Sequence, residues 1–167
     1  DPTLTTTMKS VGEAMAIGRN FTEALRKALR SIERKEAPFS WAGDRSDIDV
    51  AALLEEVRVP HDGRLRKVQQ AMWAGASAVQ LHEATAIDPW FLDQIALLNE
   101  VGDAVVAAPE LTPELLRLAK RHGFSDRQIA KAKCTHEDDV RAERKQKGII
   151  PTYRLVDTCA AEFEAYT

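Results

Sequence analysis

Cysteine is scarce. The 167-residue chain holds two, Cys134 and Cys159, and no CxxC pair. That pattern gives no ground for a disulfide framework or a cysteine-based zinc site, and two reduced thiols are the plain reading. Charge of one sign is also lacking: 23 Lys and Arg against 26 Asp and Glu leave a net −3. No global basic field points to nucleic acid, and no polybasic run points to a membrane surface. No apolar stretch approaches the ~20 residues needed to span a bilayer. Glycine-rich phosphate loops of the GxGxxG or GxxxxGK[ST] type are missing, as is HExxH. His61, His82, His122 and His136 are scattered, so exposed or capping histidines are expected rather than metal ligands. Glu137, Asp138 and Asp139 are explained by the favourable field at a helix start, worth ~0.3–1 kcal/mol each. Glu55 and Glu56 read as a solvated helix face. No serine has a His and an acid at recognisable spacing. The expected sets of catalytic, cofactor-binding and metal-binding residues are therefore all empty.

What is present is the material of helices. Hydrophobic residues make up 44% and charged residues 29%, which suits a packed core rather than a disordered chain. Asn20-Phe21-Thr22-Glu23 reads as a helix cap with an acid three positions on. Ala24, Leu25, Ala28, Leu29 and Ile32 recur at helical spacing, with Arg26, Lys27 and Arg30 expected on the other side. The helix should fade near Glu33. The following loop carries Pro38, Phe39, Trp41 and Gly43, and its two aromatics are expected to plug a core. A short helix near Val50 to Val57 precedes the break at Pro60-His61-Asp62-Gly63.

Beyond that break the chain repeats itself at an offset of 48. Val68 pairs with Leu116, Ala71 with Ala119, Gly75 with Gly123, Ser77 with Ser125, Gln80 with Gln128, Leu81 with Ile129, Ala84 with Ala132, and Leu92 with Val140. In each copy a glycine should end one helix, and a Ser with a Gln three residues later should cap the next. Asp88-Pro89 should open the third helix of one copy, and Thr135 that of the other. The longest helix is expected from Pro89 to about Ala107, with Phe91, Ile95, Leu98 and Val105 on one face and Trp90 and Leu92 widening it. Thr112-Pro113-Glu114 restarts a helix that ends at Gly123. The expected fold is all-α, an irregular array of short helices in two subdomains, about 20–60 and 61–150, the second carrying the internal duplication. Residues 1–19 and 151–167 read as edges of neighbouring structure. The start, Asp1-Pro2-Thr3-Leu4, has no initiator Met and no signal-peptide pattern, so a fragment of a longer chain is expected.

One sharper alternative is a helix-turn-helix DNA-binding module over Leu115 to Lys147. Residues 113–150 hold ten Lys and Arg against six Asp and Glu. The candidate recognition helix, however, opens with His136-Glu137-Asp138-Asp139, and acids there repel the phosphate backbone whose neutralisation supplies most nonspecific affinity.

Four motifs carry a resemblance. Met8-Lys9-Ser10-Val11-Gly12-Glu13-Ala14-Met15-Ala16-Ile17-Gly18-Arg19 is similar to the MKSVGEVMAIGR segment of carbamoyl-phosphate synthase large subunits. Ile87 to Ile95 resembles that family's IDPWFLxQI, Lys120 to Asp126 its KRxGFSD, and Val156 to Phe163 its VDTCAAEF. The order and spacing agree along essentially the whole chain, with departures at Thr7, Ala14, the Arg34–Arg45 loop and Arg154-Leu155. The resemblance implies a cytoplasmic parent ligase that makes carbamoyl phosphate from glutamine-derived ammonia, bicarbonate and two ATP, for arginine and pyrimidine synthesis. It implies that residues 1–19 end one ATP-grasp half, that 20–150 form the oligomerization or connection domain, and that 151–167 lead to the second half. Partners implied are the flanking ATP-grasp domains, a second copy, and a glutaminase small subunit; nucleic acid and membrane are not among them. ATP, magnesium or manganese, and potassium as a further candidate would be bound elsewhere in the parent, and no cofactor is expected in this stretch. In the family the Met and Glu of MKSVGE lie near a passage that carries carbamate between the halves, so the resemblance implies passage-lining roles for Met8 and Glu13.

Overall fold

A computed structural model of the chain describes residues 5–10, 13–33, 38–41 and 43–153. Eight α-helices account for the regular structure of those residues: α1 (Phe21–Ser31), α2 (Val50–Glu56), α3 (Arg64–Trp73), α4 (Ala78–Thr85), α5 (Pro89–Ala107), α6 (Pro113–Arg121), α7 (Asp126–Ala132) and α8 (Glu137–Gln146). A single 3-10 turn, Arg45–Asp47, precedes α2, and no strand forms among the described residues. The all-helical expectation holds, as do the bounds of α2 and α5 to within a residue.

Local chemistry sets most boundaries. Ser77 and Ser125 each cap a helix, and Gln80 and Gln128 return the bond, completing both capping boxes. Pro89 and Pro113 sit at first helical positions behind the caps Asp88 and Thr112. Gly75 (φ +113°) and Gly123 (φ +80°) take the left-handed conformation that ends α3 and α6. The amides of Ala76 and Phe124 then bond back to the carbonyls of Ala71 and Ala119, at 2.9 and 3.0 Å. The positions paired at an offset of 48 thus play matching local roles. Val68 and Leu116, Ala71 and Ala119, and Leu81 and Ile129 are all fully buried.

Asn20 and Glu23 cap the start of α1 as expected: the Glu23 amide donates to Asn20 Oδ1 at 2.9 Å, and the Glu23 carboxylate accepts from the Arg19 amide at 2.9 Å. Two expectations need correction. Thr135 does not open α8; His136 is the N-cap, and the Thr135 hydroxyl donates to Asp139 at 3.1 Å. Phe91 and Trp90 do not join the buried stripe of α5 and are 42% and 52% exposed. Leu92, Ile95, Leu98 and Val105 fill that stripe, and Phe91 lies one helical step to its side.

The long helix α5 is the strut of the fold. It packs against α1, α3, α4, α6 and α7, while α7 pairs with α8. One buried cluster runs from Phe39 and Trp41 through α3, α4 and α5 to Val140 and Ile149, drawing on residues either side of Pro60. Burying an aliphatic side chain contributes about 1.5–3 kcal/mol, so this cluster supplies the main driving force.

The loop aromatics plug the core as expected, and the contact with Trp41 is unusually close. A Cβ placed on Gly102 of α5 would fall 2.5 Å from the Trp41 ring. The indole Nε1–H donates to Asn99 Oδ1 at 2.9 Å, which also accepts from Gln69 Nε2 at 2.8 Å. Trp73 Nε1–H donates to Asp103 at 2.8 Å, and Arg45 reaches the same oxygen at 2.7 Å.

A second buried polar centre joins α6, α7 and α8. Asp126 is 6% exposed and accepts from Arg144 Nε at 3.0 and 2.8 Å and from Lys120 Nζ at 2.8 Å. Arg144 also donates to the Ile149 carbonyl at 3.0 Å, tying down the chain after α8. Burial alone would raise the Asp126 carboxyl, but hydrogen bonds from Lys120 and Arg144, with their charges, outweigh it and hold it below the usual range.

Three outcomes follow. Gly102→Ala forces the Trp41 ring off α5 and should cost about 1–3 kcal/mol by chemical denaturation. Asp126→Asn leaves two cations facing a neutral group and should cost about 3 kcal/mol at neutral pH. Because the folded carboxyl titrates below the unfolded one, its stabilisation is complete above about pH 4 and is lost as pH falls through the folded value, so the gap between Asp126→Asn and the parent should narrow in acid. Cys134 ends α7 at φ +52°. Replacing it by glycine removes a left-handed penalty of roughly 1 kcal/mol and should raise the unfolding midpoint.

Candidate interaction surface

Two places stand out: the buried junction where α1 meets the turn between α6 and α7, and the partly exposed start of α5. Helix α1 was expected to present Arg26 to solvent. The structure buries it to 3% exposure, against the α6–α7 turn. Its guanidinium lies 3.6 Å from the Phe124 ring centroid and 4.9 Å from that of Trp41, and the two rings themselves stack at 4.9 Å. Such cation–π contacts gain from desolvation. Arg26 Nη2 donates to Gln128 Oε1 at 2.6 Å, whereas Nε and Nη1 find no hydrogen-bond partner among the described residues. Burial, with the nearby Arg30 charge, lowers its pKa to about 9, which still leaves it cationic at neutral pH.

The flanking contacts tie the same helix to the same turn. Arg30 Nη1 donates to the Gly123 carbonyl at 2.7 Å, and Asn20 Nδ2 to the Arg121 carbonyl at 3.4 Å. The Thr22 hydroxyl lies 2.8 Å from His122 Nδ1. Burial, aided by the Arg26 charge, pushes the His122 pKa down and favours the neutral ring. These long-range partners, about a hundred residues away, have no local signal. Helical periodicity assigns Arg26 to the polar face because it counts a guanidinium as polar, although its flat face stacks well on aromatic rings.

Met8 and Glu13 are both exposed, Met8 at 87%, and the described structure does not bring them into contact with each other. Met15 is 80% exposed and Ile17 44%. The Ile17 carbonyl accepts from Lys27 Nζ at 3.1 Å, so this segment turns back beside α1. Phe21, the first residue of α1, meets Trp90 and Phe91 at the start of α5. The ring centroids lie 5.4, 5.2 and 5.0 Å apart in edge-on or tilted pairs, a favoured aromatic geometry. Trp90 remains 52% and Phe91 42% exposed, so these two rings of the cluster partly face outward.

No group of three or more His, Cys, Asp or Glu side chains among the described residues could hold a metal ion. Cys134 is a free, exposed thiol, and Cys159 lies outside the described residues, as does the motif from Val156 to Phe163. No described helix is long and apolar enough to cross a membrane. The helix-turn-helix alternative gains nothing from the geometry. Lys120 and Arg144 are spent on Asp126, Lys133 on the Val106 and Ala108 carbonyls, and Lys147 on Glu143 and the Leu111 carbonyl. At the start of α8, Glu137 and Asp138 hold Arg141 at 2.7 and 2.9 Å. Much of the positive charge counted over residues 113–150 is therefore committed inside the fold.

Comparison with known proteins agrees with the motifs. The carbamoyl phosphate synthase large chain of Kineococcus radiotolerans is 60% identical over all of this chain, that of Streptomyces avermitilis 59%, and that of Renibacterium salmoninarum 58%. The chain spans 15% of the length of each. Residues 13–148 match the family described as carbamoyl-phosphate synthetase large chain, oligomerisation domain, and the chain belongs to that family.

Proposed function

We propose that this chain is the helical connector and self-association domain of a carbamoyl-phosphate synthase large chain. The observation that carries this reading is the match, over the whole of this chain, to large chains of which it spans 15% of the length. The parent would be an ATP-dependent ligase that joins glutamine-derived ammonia and bicarbonate at the expense of two ATP, with magnesium or manganese, in the cytoplasm. Its product would feed arginine and pyrimidine synthesis, and a glutaminase small subunit would supply ammonia. This domain would space the two ATP-grasp halves that flank it. A filled interior braced by α5 suits a spacer, since close-packed cores transmit force with little compression. Within it, residues 20–60 and 61–150 would form the two subdomains, the second descended from a duplication, with 1–19 and 151–167 joining the neighbouring halves.

Met8 and Glu13 would line the passage between halves in the assembled parent. Their exposure supports that reading, because groups that contribute nothing to the helical core are available to a neighbour. Glu13→Gln in the full-length chain should leave domain stability within about 0.5 kcal/mol, as surface changes usually do. It should nevertheless lower carbamoyl phosphate formed per ATP hydrolysed, and an unchanged ratio would remove Glu13 from the passage. Self-association is tested by sedimentation of this chain over rising concentration. The 18.6 kDa monomer should give way to a dimer, and a monomer at every concentration would overturn self-association by this domain alone.

A further inference from the structure

Three aromatic rings on one outer corner are more than the fold requires. Phe21, Trp90 and Phe91 pack on one another, yet Trp90 is 52% and Phe91 42% exposed. The buried stripe of α5 is complete without them, since Leu92, Ile95 and Leu98 are at most 1% exposed. Contiguous exposed aromatics mark interaction sites, where Trp and Phe are enriched. We propose that the ring cluster of Phe21, Trp90 and Phe91 is the docking surface for the part of the large chain that precedes residue 1. This rests on the reading of the chain as one domain of a large chain.

Two observations select that occupant over a second copy. The first is continuity. Phe21 is the first residue of α1, reached directly from residues 13–20, where Met15 and Ile17 are 80% and 44% exposed. Exposed apolar side chains therefore lead along the backbone to the ring cluster, on the side from which a preceding segment arrives. The second is size. A stable interface between separate molecules buries about 1,200–2,000 Å² in total, more than three partly exposed rings can provide. A segment of the same chain, tethered to Phe21 through residues 1–20, acts at roughly millimolar effective concentration, so a small apolar contact suffices. The relatives, of which this chain is 15%, are long enough to supply such a segment.

The test uses the full-length large chain. Brief hydroxyl-radical exposure with mass-spectrometric readout compares Trp90 with Trp41, two side chains of equal intrinsic reactivity. Trp41 is 7% exposed and serves as the buried standard. If Trp90 is covered by an interface that excludes water, its oxidation rate should fall within about fivefold of that of Trp41. A larger ratio would overturn the proposal. The measurement is repeated at a dilution where sedimentation shows only monomer. Retained protection supports the tethered segment, and protection lost on dilution assigns the surface to a second copy and overturns it. A photoreactive p-benzoylphenylalanine in place of Trp90 then identifies the neighbour. Cross-links into the sequence preceding residue 1 are expected, and cross-links elsewhere would sink the idea. The same sedimentation run reports self-association separately: a chain that never dimerises while Trp90 stays protected defeats the oligomerisation reading and leaves this inference intact.

Discussion

The Trp41 ring lies against α5 closer than any side chain at position 102 would permit. That approach depends on Gly102, and much of the rest depends on that approach. It fixes the indole N–H on Asn99, which in turn orients Gln69 of α3. It turns the outer face of the indole toward Phe124, and the stacked pair forms the floor on which Arg26 of α1 rests. A single loop tryptophan therefore couples α1, α3, α5 and the α6–α7 turn.

Buried polarity in this domain is organised at helix junctions. Asp126 opens α7 and draws in Lys120 from α6 and Arg144 from α8, so three helix orientations are set by one carboxylate. Gln128 closes the cap of the same helix and also accepts from Arg26. Such ion pairs and caps add little net energy beyond their desolvation cost, but they penalise other packings strongly, because each would strand a buried charge. Arg26 is the weakest point of this arrangement, with two nitrogens lacking a hydrogen-bond partner among the described residues and only the Gln128 amide oxygen and aromatic faces to offset its charge.

The domain's core is filled by side chains, several of its cations are held by acids and carbonyls of the same chain, and an exposed aromatic cluster stands at Phe21, Trp90 and Phe91. An oligomerisation domain needs such a division: a stiff body, and surfaces left over for neighbours.

Helix positions were legible in the sequence because caps, C-terminal glycines and first-turn prolines are local devices that act within a few residues. The Ser77 and Ser125 boxes, Gly75, Gly123, Pro89 and Pro113 each needed only their own neighbours to be understood. The burial of Arg26, the exposure of Phe91 and the close approach of Trp41 to Gly102 could not be read that way. Each depends on what another helix brings from far along the chain, and periodicity sorts residues by polarity and spacing, not by the shape of a distant partner. Local devices in the chain placed most helix ends, and its motifs alone pointed to the family. The tertiary structure alone decided which faces are inside, because burial is a property of the pair of surfaces that meet.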